Sequence, residues 1–480
     1  MSSLSRRQLL RASAAALAAG VLPARWASAA PRAVRVAVIG GGLAGLTTAR
    51  ELVAGGIDSV VVLEADTRVG GRTVNLPLPG GHVVEGGGEW IGPGQDRIAA
   101  LGTALGVDTF DAYYAGASTY EIQGVVSQGT LPELSLQHGF EFLRLAWRLE
   151  RMAKALPDGK PWAAADAAEL DGITLAAWLA REGASAWTTE TFRIITRAIM
   201  SGYPERISLL WFIFYLKSGG GLLAIAQNDG GLQDLRFAGG SQLVSIRAAE
   251  ALGPRVQLDE PAVALAGYAE GPVEVRTRTA VYQAERVVVA MAPADTLRID
   301  FRGGLSPQRL ELVRRWGQLT RLPLIKHSVL YPRPFWRDAD LNGNVATDRA
   351  PLQLVFDNSP PDASLGVLTC FLAAAEVPGM AAREDRARLV PQELVRYFGP
   401  QARASTGWVE KDWSTDPWST GCITPLPPGL LSAYGPALRA PVGRVHWAGT
   451  ESAEQGCGYM EGAVRSGERA AAEVLAALRG

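Results

Sequence analysis

The pattern of apolar and polar positions divides the chain unevenly. Residues 34–39 form a short, β-branched apolar run, the pattern of a buried parallel strand. Gly40-Gly41-Gly42-Leu43-Ala44-Gly45 follows, then a helical stretch over 46–54 that Gly55-Gly56 closes, then a second strand over 59–63 ending on Glu64. Together these predict a β-α-β unit with an acid after its second strand. From 111 to 217 the texture is helical, rich in Ala, Leu, Arg and Trp. Short strands alternating with turns are expected over 236–292, clearest at 256–258, 273–277 and 286–290. A helix over 305–317, a strand over 322–331, further strands within 352–373, a strand over 444–448 and a helix over 461–478 complete the reading. No internal repeat and no low-complexity linker is visible. Pieces of one nucleotide-binding unit lie at both ends and in the middle. This predicts an α/β fold of two interleaved domains: a dinucleotide-binding Rossmann-like domain from 34–110, 230–300 and 440–480, and an α+β substrate domain from 111–229 and 301–439.

The first residues read as an address. Ser5-Arg6-Arg7-Gln8-Leu9-Leu10-Arg11 is a twin-arginine pattern, followed by a weakly apolar Ala/Leu stretch and by Ala27-Ser28-Ala29, small residues suited to a signal peptidase. Residues 1–29 are therefore expected to be a Tat signal, and the mature protein periplasmic or secreted. The stretch is too short to span a membrane, which takes about 20 apolar residues. Tat carries folded proteins, which suits a cofactor inserted before export.

Composition narrows the class. The 480 residues are enough for about three domains of roughly 150 residues each. With 48% hydrophobic and 20% charged residues, a large core is available and wholesale disorder is excluded. A net charge of −1 carries no basic field for nucleic acid. Three cysteines and four histidines, scattered singly, exclude a disulfide framework and leave no metal-ligand spacing. Only five of the 47 basic residues are lysines, so a lysine inside an apolar run carries weight.

Gly40, Gly42 and Gly45 fit G-x-G-x-x-G: the first permits the turn, the second lets backbone approach a pyrophosphate, the third lets helix and strand pack. Glu64, 19 residues beyond Gly45, is placed to take a ribose hydroxyl. Two further glycine clusters follow, Gly70-Gly71-Arg72-Thr73 and Glu85-Gly86-Gly87-Gly88-Glu89-Trp90. A nicotinamide cofactor does not need them. A flavin dinucleotide, with its longer fixed body, does. Arg72 could pair with its pyrophosphate as a bidentate donor.

These blocks, with the string Ala448-Gly449-Thr450-Glu451 and then Gly458-Tyr459-Met460-Glu461-Gly462-Ala463-Val464, resemble the flavin-containing amine oxidase family, and within it the monoamine oxidase branch. The resemblance covers essentially the whole chain beyond residue 34. It implies FAD as cofactor and oxidation of a primary or secondary amine to an imine, then an aldehyde, with O2 reduced to H2O2. It implies that Lys326, flanked by Leu324 and Ser328 on one strand face, holds a water at the flavin N5, while His327 on the opposite face is structural. Tyr459 would be one wall of an aromatic slot before the flavin, and the helix from Met460 would aim its N-terminus at the ring. Cofactor contacts are implied at Gly88, Trp90, Val263, Trp413, Glu451 and Met460. Cys422, nine residues after Trp413, matches the position that bonds the flavin 8α-methyl, with a buried free thiol as the alternative. Cys370 and Cys457 read as structural.

One position departs from the family. Ile423 stands where the second aromatic wall is usually a tyrosine, so that wall is aliphatic unless Trp418 or another aromatic replaces it. Gln233 matches a polar position of the substrate cavity. The same fold also serves L-amino acid oxidases, which need a cation absent from Glu89-Trp90-Ile91-Gly92-Pro93, polyamine oxidases, which Glu89 keeps open, and flavin desaturases, against which Lys326 with Tyr459 argues. The implied partners are a small-molecule amine and O2, with a homodimer as the one self-association to consider. No membrane anchor is expected, since the chain stops soon after an amphipathic helix.

Overall fold

The computed structural model describes residues 30–133, 135–319, 324–373, 376–419, 421 and 425–480. The leader, Cys422 and Ile423 lie outside the described residues. The β-α-β unit organises the first sheet. Strand β1 (Arg32–Ile39) leads through the glycine turn into helix α1 (Leu43–Ala54) and back to strand β2 (Val60–Leu63), whose four residues are all buried. Val36 to Ile39 pair in parallel with Val60 to Leu63 on one side and with Arg286 to Val289 on the other. Both faces of the strand are covered, so its side chains are apolar without alternation. The sheet has eight strands, drawn from residues 32–63, 256–301 and 445–448.

Close backbone approach sets this geometry. Gly40 has φ +108°, and a Cβ there would meet the Ala290 carbonyl oxygen at 2.7 Å. A Cβ on Gly45 would lie 1.9 Å from the Gly40 oxygen, so the third glycine is needed for helix–strand packing. The C-terminal helix Met460–Arg479 lies on α1 in the same way: a Cβ on Gly467 would meet the Ala44 oxygen at 2.5 Å, and the Thr48 hydroxyl donates to the Ala44 and Gly467 carbonyls at 2.8 and 3.2 Å. The last helix thus packs directly on the first β-α-β unit.

A second sheet has seven strands, in the order Gly407–Asp412, Ile325–Tyr331, Gly366–Leu372, Leu352–Asp357, Leu341–Thr347, Ala117–Ile122, Val125–Gly129. Every residue of Ile325–Tyr331 is buried. Here the helical reading of 111–217 needs correction at its start. Ala117–Ile122 and Val125–Gly129 form a hairpin through Gln123 and Gly124, both at positive φ, and Ala117–Ile122 pairs in parallel with Leu341–Thr347. Helices begin only at Leu136. A second correction lies within 236–292, where Gln242–Leu252 is a helix. Its buried face carries Val244, Ala248 and Leu252 but interleaves them with Gln242 and Ser245, so the apolar stripe is narrow.

The helical block that follows Leu136 packs around Leu209–Ser218, which is buried from Leu209 through Leu216. A helix apolar on every side can only be central. This helix delivers Tyr215 to the large cavity between the two sheets. Its Ser218 hydroxyl accepts from the Cys457 N–H at 2.7 Å, bracing the turn before the last helix. Among the described residues no helix is long and apolar enough to cross a membrane.

Candidate active site

The cavity has a volume of ≈ 370 Å³ and runs from the first glycine turn, past Arg72 and Lys326, to Gln233 and Tyr459. At its first end the Glu64 carboxylate accepts from the Gly41 N–H at 2.5 Å and from the Asp66 N–H at 2.8 Å. Burial pushes its pKa up, against these two hydrogen bonds. The carboxylate is thereby fixed facing the cavity wall beside Gly40 and Gly42. A Cβ on Gly42 would meet nothing nearer than 3.8 Å, and one on Gly88 nothing nearer than 3.5 Å. At both glycines an added side chain would occupy cavity, which is where backbone has to admit a dinucleotide.

The structure refines several expectations. Arg72 lines the cavity, but its fork meets Glu451 at 2.5 and 3.0 Å in a bidentate pair, not an open anion site. Glu451 is buried and reaches the cavity through Arg72. The Gly70–Thr73 turn is braced by Arg68, which donates to the Gly71 and Thr73 carbonyls at 3.0 and 3.1 Å. Gly87 is required by the chain itself: a Cβ there would lie 2.0 Å from the Arg72 oxygen and 3.0 Å from the Trp413 ring. Trp413 lines the cavity and donates to the Gly86 carbonyl at 2.7 Å. Gly45 serves packing, as described. Val263 does not line the cavity; its neighbours Pro261 and Ala262 do, just before a register irregularity between Ala262 and Ala264. Met460 lines the wall at the start of the last helix, and Trp418 and Gly421 line it on the loop that leads to Cys422.

At the other end Tyr459 is stacked on Tyr215, with ring centroids 5.4 Å apart and planes at 28°. Gln233 lines the wall nearby, its backbone oxygen accepting from the Tyr114 hydroxyl at 2.6 Å. Trp90 packs on Phe356 at 4.7 Å and faces Phe371 at 6.4 Å. Lys326 sits against this aromatic pair, its Nζ 5.0 Å from each of the Trp90 and Phe371 ring centroids. Its ammonium donates to three oxygens: the Glu89 carboxylate at 2.7 Å, the Gly87 carbonyl at 2.9 Å and the Glu85 carbonyl at 3.3 Å. A water at Nζ has to take over one of these contacts. Glu89 also faces Arg236 at 3.1 Å, and Arg236 donates to the Glu85 carboxylate at 2.6 Å. Four buried charges therefore alternate as Lys326, Glu89, Arg236 and Glu85. Burial, with the neighbouring Glu85 carboxylate, holds the Glu89 carboxyl above its ordinary range, although the Lys326 and Arg236 charges act against the rise.

Comparison with known proteins decides the class. A family model for flavin containing amine oxidoreductases matches residues 43–475. The chain belongs to the flavin-containing amine oxidoreductase family. It is 36% identical over 451 residues to a putative flavin-containing monoamine oxidase, AofH, of Mycobacterium tuberculosis, covering 93% of this chain and 98% of that protein. It is 34% identical to amine oxidase [flavin-containing] B of Sus scrofa, over 92% of this chain and 86% of that one. Among solved structures, cyclohexylamine oxidase from Brevibacterium oxydans superposes with a TM-score of 0.86 at 32% identity, covering 93% of this chain and all of that one (100%). Putrescine oxidase bound to putrescine superposes with a TM-score of 0.85 at 30% identity, again over 93% and 100%. The cofactor of this amine oxidase is FAD.

Sequence reasoning misses Arg236, Tyr215 and Phe371 as members of the oxidase's cavity region. Each lies far along the chain from the residue it touches, so no local spacing announces it. Glu85 and Glu89 do stand out as acids in a glycine-rich run, but their cationic partners are not visible there. His327 points the opposite way from Lys326, as alternation requires. It pairs through Nδ1 with Glu410 at 2.8 Å and stacks on Trp408 with centroids 5.4 Å apart. Arg386 clasps the same Glu410 carboxylate at 2.7 and 2.8 Å. This cluster anchors the back of the strand whose front carries Lys326.

Burial alone would raise the Glu410 pKa, but hydrogen bonds from Arg386 and His327 outweigh it and hold the carboxyl down at about 2. A depressed carboxylate stabilises the fold above its unfolded pKa and loses that contribution as pH falls through the folded value. Thermal or urea unfolding between pH 5 and pH 2 should therefore show a decline of ~2–3 kcal/mol traceable to this group. Glu410→Gln should be less stable at pH 7 and should lack that part of the acid decline. An equally steep decline in the variant would assign the effect elsewhere.

Proposed function

We propose that the enzyme oxidises monoamines with an apolar body, and that it does so after export by the Tat pathway with its FAD bonded to Cys422. The observation that carries the substrate reading is the pairing of charge along the cavity wall. Among the described wall residues, Glu89 is taken by Lys326 and Arg236, Asp416 by Lys411 at 2.6 Å, Arg72 by Glu451, and Arg298 by Asp295 at 3.3 Å. Arg68 pairs with Asp66 at 3.2 Å beside Glu64, at the dinucleotide end. Among the described residues at the substrate end of the wall, a diamine meets no carboxylate without a cation for its distal ammonium, and an amino acid no cation without a carboxylate; Glu64, held by backbone N–H groups, lies at the dinucleotide end. Among the described residues, the side chains at the substrate end include Tyr215, Tyr459, Ile199, Leu232, Trp90, Phe371 and the Gln233 amide.

Bound FAD would supply the redox chemistry, the two-electron oxidation of an amine to an imine with O2 as the acceptor reduced to H2O2. The chain's own residues bind and orient. The glycine turns at Gly40–Gly42, Gly70–Gly71 and Gly87–Gly88 admit the dinucleotide, and Glu64 takes its ribose. Tyr459 and Tyr215 present aromatic faces that orient an amine and favour positive charge developing on nitrogen. The helix from Met460 brings the positive end of its dipole to the wall, while Lys326, bound to Glu89 and two carbonyls, is held in place with its charge paired. The chain's residues act by positioning and electrostatics.

An anaerobic titration tests the substrate reading. Benzylamine, 2-phenylethylamine or a longer alkylamine should bleach the yellow holoenzyme at least ~100-fold faster than putrescine or L-phenylalanine, about 3 kcal/mol of discrimination. Air should then restore the colour with release of H2O2. Preferential bleaching by putrescine would replace the monoamine reading with a diamine one.

Two further outcomes are expected. Colour should stay with the acid-precipitated protein, and Cys422→Ala should release it to the supernatant; colour already in the wild-type supernatant would refute the covalent bond. Residues 1–29 fused to a reporter should direct it across the inner membrane, and Arg6→Lys with Arg7→Lys should retain it in the cytoplasm. Export that survives this change would refute the Tat route.

A further inference from the structure

Of the charged groups in the cavity wall, Lys326 is the one set among the substrate-side aromatics, and its neutralisation is unusually complete. The ammonium has three protons and meets three oxygens, Glu89 Oε2, Gly87 O and Glu85 O, at 2.7, 2.9 and 3.3 Å. The other Glu89 oxygen lies 3.1 Å from Arg236 Nε, within reach of charge attraction though not aligned as a hydrogen bond. Arg236 is fixed in turn by the Glu85 carboxylate at 2.6 Å and by its strand, which pairs Arg236 with Trp90, the residue after Glu89. Two cations and two anions balance, with all four side chains at most 4% exposed. Replacing Glu89 by a neutral residue would leave Lys326, Arg236 and Glu85, a net charge of +1 in a wall lined by Trp90 and Phe371.

We propose that Glu89 determines specificity: by saturating and neutralising Lys326 it makes the substrate cavity indifferent to carboxylates and so keeps amino acids out of an amine oxidase. This rests on the monoamine reading above and names the residue behind it. The chemistry is electrostatic. An uncompensated cation in a partly dry wall attracts an anion a few ångströms away far more strongly than in bulk water, whereas a paired and fully hydrogen-bonded one offers it neither net charge nor a proton. The ligand class that discriminates is an aromatic or aliphatic carboxylate.

Benzoate is the probe, titrated against the FAD-loaded enzyme and followed by the change in flavin absorbance. Wild type should bind it weakly. Glu89→Gln should bind it at least tenfold more tightly, and Glu89→Gln combined with Lys326→Met should return to the wild-type value. In turnover, the preference for 2-phenylethylamine over L-phenylalanine, which differ by one carboxylate, should narrow by a similar factor in Glu89→Gln. Equal benzoate affinity in wild type and Glu89→Gln overturns the proposal. So does tight binding in the double variant, which would give the attraction to Arg236. Should Glu89→Gln not accumulate as folded holoenzyme, Glu89→Met removes the same charge at a similar side-chain volume; benzoate affinity unchanged from wild type then overturns the proposal equally. The titration needs no turnover, so it reads independently of the amine panel: a wild type that oxidises no monoamine would sink the monoamine reading, whatever benzoate does.

Discussion

Four buried charges hold the two halves of the cavity together. Glu85 ends the short strand Val83–Glu85, Glu89 precedes Trp90–Ile91, Arg236 comes from Leu235–Phe237, and Lys326 comes from the second sheet. Removing one member of such a set leaves an uncompensated buried charge and costs about 3–5 kcal/mol, whereas the intact set contributes little net stability against an apolar replacement. Its value is therefore geometric. It fixes the second sheet against the dinucleotide-binding turns at the point where cofactor and substrate must meet, and it holds Trp90 in its contact with Phe356. The strand carrying Lys326 is clamped from behind by the Glu410, Arg386 and His327 cluster, so its front face has little freedom to drift.

The glycines supply the complementary constraint. Those that the sequence presents as a cofactor cradle divide into two kinds. Gly40, Gly45 and Gly87, like Gly467 in the last helix, are crowded by the chain's own backbone. A Cβ added at any of these four would lie between 1.9 and 2.7 Å from a carbonyl oxygen, so they are needed to close the fold. Gly42 and Gly88 open onto the cavity and are needed for a ligand. A substitution of the first kind affects folding and of the second kind occupancy, although the sequence motif is one continuous pattern.

Much of this architecture is legible in the sequence. The β-α-β unit, the glycine fingerprint, Glu64, the strand bearing Lys326 and the terminal helix all follow from local pattern. What local pattern cannot show is pairing across distance. Arg72 reads as an open fork for a pyrophosphate because Glu451 lies 379 positions away. Arg236 passes unnoticed inside Leu235–Phe237, since one charged residue in a short strand looks like a solvated face. The hairpin after residue 116 is absorbed into a helical stretch because Val125–Gly129 leaves Val125 and Val126 exposed and so lacks an apolar-in, polar-out signature. Tyr215 is hidden by the opposite problem: in a helix apolar on every side, nothing marks the face that borders a cavity.

The fold alone does not choose the amine. The solved relatives include an oxidase of cyclohexylamine and one of putrescine, and this chain superposes on both almost equally well. Selection must therefore come from what faces the substrate. An ammonium or carboxylate that leaves water needs a partner inside, or it bears the desolvation cost of a buried charge. In this cavity the partners are already committed to one another: Glu89 to Lys326 and Arg236, Asp416 to Lys411, Arg72 to Glu451. A second charged group on the substrate would have to break one of these pairs to gain its own. An apolar body has no such cost, and the stacked Tyr215 and Tyr459 rings offer it contact area. On the proposed reading, pairing along the wall acts as a filter against extra charge, and it does so with residues that also hold the cavity in shape.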